Sequence, residues 1–156
     1  MTKVKVISTI PQGKMGIKLI DSEGVEKTII LSKPGASREV PKDCLYRAIE
    51  ESYGMKKMYE KGYFMIKANE EQIQELEDIG VDLEKVVLDD MDIKLLLSED
   101  LQEFEAKIET VCEQSLKRIA HVMAESKNID LNKASALEKY ISFKVADLIE
   151  QQSDAN

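Results

Sequence analysis

Carboxylates supply the first candidate chemistry in this 156-residue chain. Asp89, Asp90 and Asp92 crowd into the short stretch "DDMD", a density of oxygen donors that suits a hard cation such as calcium or magnesium. The stretch lacks the alternating Asp/Asn ligands, central glycine and closing glutamate of a calcium loop, so a surface acidic turn is expected instead. Glu75, Glu77 and Asp78 would need unequal burial to act as an acid–base pair, and they fall on the polar face of a helix. His121 is the single histidine, Cys44 and Cys112 are the two cysteines, and there is no Cys-x-x-Cys or His-rich cluster. Most transition-metal and histidine-activated nucleophile chemistries therefore lack their residues. The glycines and lysines of "PQGKMG" and "KPGAS" lack the spacing that cradles phosphates. The residues point to no catalytic group, no metal and no cofactor, and the expectation is that the chain is not an enzyme.

A different chemistry sits in "GMKKMYEKGYFMIKANEEQ", residues 54–72, where lysines and aromatic rings precede an acidic run. A stacking platform for single-stranded nucleic acid needs exposed rings interleaved with cations over a broad groove, and this chain has no tryptophan and only 3 phenylalanines. Nucleic acid is an unexpected partner. Lys56, Lys57 and Lys61, with Lys3 and Lys5 on the first strand, are expected to form a protein-docking surface, with Tyr59 and Tyr63 as anchors.

Net charge is −8, unevenly spread. Residues 1–68 carry 13 basic and 8 acidic side chains, a net of +5, while residues 69–156 carry 9 and 22, a net of −13. Between Glu70 and Glu105 there are 14 acidic residues against two lysines. Such polarity repels phosphate overall but suits docking to neighbours of complementary field, including other copies of the chain arranged head to tail. A second reading of the acidic stretch is a decoy that presents carboxylates where a DNA-binding partner expects phosphates. No apolar run approaches the roughly 18 residues that span a bilayer. The amino terminus lacks a secretory pattern, so no membrane association and a cytoplasmic origin are expected. Two widely spaced cysteines fit buried free thiols better than a disulfide framework.

The elements that must position these groups follow from pattern. "KVKVISTI", "GIKLI" and "VEKTIIL" are β-branched runs separated by breakers, predicting three antiparallel strands, with Lys3 and Lys5 protecting an edge; a short strand "REV" follows. Pro41 opens a helix over 41–53 that Gly54 closes, and a turn ending at Gly62 leads into the strand "YFMIK". Asn69 and Gln72 form a capping-box pattern for a helix bearing Ile73, Leu76 and Ile79 and closed by Gly80. Residues 81–97 stay open between strand and helix. Ser98 caps a long helix over about 98–126 with an apolar stripe of Leu101, Phe104, Ile108, Val111, Cys112, Leu116, Ile119 and Met123 and with His121 solvated opposite it; Asp130 caps a helix bearing Leu131, Ala134, Leu137 and Ile141, a second starts at Ser142, and these terminal helices occupy about 130–151. The fold class is α+β: an antiparallel β-rich half over 1–68 with an inserted helix, then an acidic, all-helical half over 69–156.

Two stretches carry a resemblance. "KPGASREVPKDCLYRAIEESYGMKKMYEKGYFMIK" and "SLKRIAHVMAESKNIDLNKASALEKYISFKVADLIE" together resemble small proteins encoded among the capsid and portal genes of tailed bacteriophages. A threonine–glycine pair of that family is replaced by Ile141 and Ser142 after Tyr140, which leaves the break between the last helices open. The resemblance implies a structural or head-accessory virion protein, without catalytic residues, that contacts capsid or portal and neck components or itself. It would be found in the virion, and in the host cytoplasm during assembly.

Overall fold

The computed structural model describes residues 2–83 and 85–154. Strands β1 (Lys3–Ser8), β2 (Met15–Ile20), β3 (Glu26–Leu31) and β4 (Ser37–Pro41) come first. Helices α1 (Lys42–Glu51) and α2 (Tyr53–Glu60), strand β5 (Phe64–Lys67) and helix α3 (Glu70–Asp78) follow. The remainder is helical: α4 (Asp90–Leu97), α5 (Leu101–Ile108), α6 (Glu113–Glu125), α7 (Leu131–Glu138) and α8 (Val145–Asp154). The α+β class with a helical C-terminal half is as the sequence predicts.

The strands pair differently from the expectation. β1 is the centre of a three-stranded antiparallel sheet in the order β4-β1-β5, and β2 and β3 form a separate hairpin. Lys5 is therefore paired on both sides of a central strand and guards no edge, and Lys3 at the strand's start pairs with Pro41 of β4 alone. Lys5 stands between Glu39 and Lys67 in the register, so the repulsion from Lys67 is offset by the carboxylate across the other side. Val4 and Val6 pair with Val40 and Ile66 on the buried face. The hairpin turns at Asp21, whose carboxylate accepts from the amides of Glu23 and Val25 at 2.9 Å each. A lone hairpin is marginal in water, and this one is covered by α1 through Ile17, Leu31, Leu45 and Ile49, all buried.

α1 starts after Pro41, whose extended backbone (φ −60°) forms the cap position. It ends at Ser52, not at Gly54. Ser52 Oγ accepts from the Met55 amide at 3.3 Å, so the chain restarts at once as α2, and Gly54 lies inside that helix. The Asn69/Gln72 capping box forms as the spacing predicts, with both hydrogen bonds present, at 2.9 and 3.0 Å. Of the apolar positions of α3, Leu76 is buried, Ile79 is partly covered and Ile73 is exposed.

α3 belongs to the front core. Leu76 packs with Tyr46, Tyr59 and Phe64 in one apolar cluster, Glu75 accepts from Lys42 at 2.7 Å, and Tyr46 Oη donates to the Gln72 carbonyl at 3.1 Å. Burial and the nearby Glu75 push the Tyr46 phenol up to about 12. The first packed unit thus extends through Val81 and not to 68. That shift changes the charge ledger: residues 1–81 hold 13 basic and 13 acidic side chains, net zero, leaving −8 on residues 82–156.

The expected helix over 98–126 is two helices. Ser98 ends α4, Asp100 caps α5 by accepting from the Glu103 amide at 2.8 Å, and α6 begins after Cys112. Between them Val111 forms an isolated parallel bridge with Val86. The Val86 amide donates to the Thr110 carbonyl and the Cys112 amide to the Val86 carbonyl, at 2.8 and 2.9 Å. Thr110 closes a turn, its amide donating to the Lys107 carbonyl at 3.1 Å, and the backbone partner at Val86 holds the β-branched Val111 in the bridge. Most of the apolar stripe survives the break: Phe104, Ile108, Val111, Cys112, Leu116, Ile119 and Met123 are all buried, whereas Leu101 at its start is exposed.

The rear core joins Phe104, Ile108, Val111, Leu116, Ile119 and Met123 to Ile93, Leu96, Leu137, Val145 and Leu148. α7 is capped by Asp130, as predicted, but Leu131 is exposed while Lys133 is buried. The Lys133 amine donates to the Leu97 carbonyl at 2.7 Å and also to the Glu99 carbonyl, and lies over the Phe104 ring, 5.8 Å from its centre. A cation thereby satisfies the last carbonyl of α4 and that of Glu99 just beyond it. α8 begins at Val145, three residues after the expected restart at Ser142.

Candidate functional site

Helix α2 and the turn after it gather most of the lysine-rich surface. Met55 and Tyr59 point inward and fix the helix on the front core, with the Tyr59 ring 5.6 Å from that of Phe64. Tyr59 is thus not the surface anchor expected of it, and burial raises its phenol pKa. The outward side carries Tyr53, Lys56 and Lys57. Tyr53 is 76% exposed, and the Lys57 amine lies 5.3 Å from the centre of its ring. Sequence reasoning missed Tyr53, although its four-residue spacing from Lys57 is the signal that pairs the two on one helix face.

Beside this face opens a cleft of about 510 Å³, to which Lys57, Glu60, Lys61, Tyr63, Asp82 and Cys112 contribute. Glu60 turns into it: one oxygen accepts from the Asp82 amide at 2.7 Å, and the other lies 3.5 Å from the Lys57 amine. The structure therefore brings Lys57, Lys61 and Tyr63 together, and holds Lys56 on the same helix near Gly80. Lys3 and Lys5 project from β1 and line none of this cleft.

The floor of the cleft is where front and rear meet. Gly62, at φ +80°, brings its backbone against Cys112, and its carbonyl accepts from Thr9 Oγ1 at 2.7 Å. The Cys112 thiol is buried and donates to Ser115 Oγ at 3.3 Å, while Cys44 is half-buried; both are free. Buried position and an ordinary hydrogen bond fit a packing role for Cys112.

The "DDMD" turn is less of a free surface than expected. Asp89 caps α4 by accepting from the Asp92 amide at 2.8 Å, and its second oxygen is 3.1 Å from the Lys67 amine. Burial pushes the Asp89 carboxyl up, but the Asp92 amide and Lys67 outweigh it and hold the group below its ordinary value. Asp90 receives Arg118 in a fork, Nε and Nη2 each at 3.1 Å, and Arg118 Nη1 donates to the Pro11 carbonyl at 3.4 Å. These contacts stitch the rear helices to β5 and to the loop after β1. Among the described residues no group of three or more His, Cys, Asp or Glu is placed to hold a metal ion.

His121 is half-buried, not solvated, with its ring 6.4 Å from that of Phe143. Burial, with help from Arg118, lowers its pKa. No helix among the described residues is long and apolar enough to cross a membrane. No protein-family model, curated protein or solved structure matches this chain.

Proposed function

We propose that the protein is a non-enzymatic structural component of a tailed-bacteriophage particle, a capsid, head-accessory or connector part that docks other virion proteins through the outer face of α2. The observation that carries the docking role is Tyr53. A ring 76% exposed, steadied by Lys57 on a helix whose inner side is locked by Met55 and Tyr59, offers large contact area at small ordering cost. Lys56, Lys57 and Lys61 surround it with charge that steers an acidic partner surface. The resemblance to small proteins of capsid and portal gene clusters supplies the setting, the virion and the host cytoplasm during assembly.

The acidic-decoy alternative is weaker on this geometry. A phosphate mimic needs free carboxylates; Glu75, Asp89, Asp90 and Glu99 are engaged by Lys42, Lys67, Arg118 and Lys107 respectively, which leaves it mainly the exposed Glu70, Glu71, Glu77, Glu103 and Glu105, split between α3 and α5. The test is quantification of the protein in purified particles. Stoichiometric retention, reduced several-fold by Tyr53→Ala, is expected; recovery only in the soluble cell fraction would overturn the proposal.

A further inference from the structure

Two apolar cores stand on either side of the cleft floor. Among the described residues they share no member: the front one runs from Val4 to Val81 and the rear one from Leu88 to Leu148. Nor does any described strand or helix of the front pack along a helix of the rear. The chain passes between the two units once, after α3. What joins them is mostly polar. Lys67 of β5 pairs with Asp89 at 3.1 Å, and Arg118, aimed by its fork on Asp90, donates to the Pro11 carbonyl at 3.4 Å. The Asp90 carboxylate lies against Gly35, and the Gly62 backbone lies against Cys112 and Val87. Cys112 is buried yet belongs to neither core, so this joint supplies its cover.

We infer that the joint is a hinge held by a polar latch: front and rear part as bodies, each keeping its own core, when the Lys67–Asp89 and Arg118–Pro11 contacts release. The Lys67 side chain is more than half exposed, and an ion pair this open to water adds little net stability. Releasing these contacts leaves both apolar clusters intact, whereas unfolding either unit exposes one of them to water. Parting is therefore the lower-energy motion, as expected of two cores whose interface is small and polar. Opening separates the Lys57, Lys61 and Tyr63 wall of the cleft from the Glu113 and Gln114 wall, and it uncovers the Cys112 thiol. The hinge follows from the joint alone and stands whether or not α2 docks a virion protein.

The unaltered chain carries its own reporter. Alkylation by iodoacetamide, a neutral reagent, followed by peptide mass mapping reads Cys112 separately from Cys44. Without denaturant, Cys112 should react at a rate that changes little in low urea, because parting exposes far less surface than unfolding does. Over the same interval, hydrogen exchange should leave the amides of β1 and α6 protected. Lys67→Met, a change at an exposed side chain, should raise the Cys112 rate roughly two- to fivefold and leave circular dichroism unchanged. Among the described residues Lys67 pairs with Asp89 and with no group of α6, so fraying at the start of α6 would be indifferent to this variant. A Cys112 rate that Lys67→Met leaves unchanged overturns the inference. So does a Cys112 that reacts only as urea unfolds the whole chain, or one that reacts together with loss of protection in β1 and α6; both of these are read on the unaltered chain.

Discussion

Replacing Gly62 with alanine would place a methyl carbon 2.5 Å from Cys112 Sγ and 3.1 Å from Val87 Cγ2. Carbon and sulfur prefer separations nearer ~3.5–4.0 Å, so front and rear would have to part or side chains would have to leave their rotamers. Overpacking of this kind costs about 1–3 kcal/mol. The backbone adds its own term: at φ +80° a side chain costs about 1–2 kcal/mol that glycine does not incur. The sum is about 2–5 kcal/mol, which for a chain of this size lowers the melting temperature by about 4–20 °C. Urea denaturation of the variant measures it directly. A cycle with Cys112→Ala separates the two causes, because removing Sγ relieves the nearest clash and leaves the backbone term. The Gly62→Ala cost should shrink by about 1–2 kcal/mol in that background. A cost under about 1 kcal/mol for Gly62→Ala, or a cycle additive within about 0.5 kcal/mol, would show that Gly62 and Cys112 are not in contact.

Arg118→Met should destabilise by about 1–2 kcal/mol, since it strips a forked partner from Asp90, and Arg118→Lys should restore only part of this in the same melts. Asn69→Ala should cost about 1 kcal/mol through its cap, and Asp89→Ala more, because Asp89 also loses Lys67; equal costs in denaturation curves would refute the Lys67 contact. His121 has a folded pKa below its ordinary 6.5, so the unfolded chain binds the proton more readily. Its contribution is whole above about pH 6.5 and is lost as pH falls through the lower folded value. A His121→Gln variant should therefore lose less stability than the wild type between pH 6.5 and pH 5, and parallel stability curves would refute the burial of the ring.

Local chemistry was legible wherever partners lie a few residues apart. The Asn69/Gln72 box, the Asp130 cap and the Gly80 closure depend on contacts within one turn, so their residue types suffice. The apolar stripe predicted from Leu101 to Met123 was legible as burial from Phe104 onward but not as one helix, because Val86, far away in the chain, supplies the hydrogen bonds to Thr110 and Cys112 that flank the Val111 bridge. Of the docking residues, Lys57, Lys61 and Tyr63 do share a cleft, whereas Tyr59 and Tyr53 exchange places: both are tyrosines on one short helix, and only packing on Phe64 chooses which turns inward.

The sequence by itself determined the α+β order, the caps at Asn69 and Asp130 and most of the positions that are buried, because these follow from periodicity and neighbour chemistry. Only the tertiary structure decided where the charge resides. A cut at residue 68 divides +5 from −13, but α3 packs on the front core through Leu76 and Lys42–Glu75, and that unit is then neutral. Coulomb interaction acts over distances of a few ångströms in space and is indifferent to separation along the chain. Polarity that looks like two opposed halves in one dimension therefore resolves, once folded, into ion pairs at the joint and a few local faces left free to meet a partner.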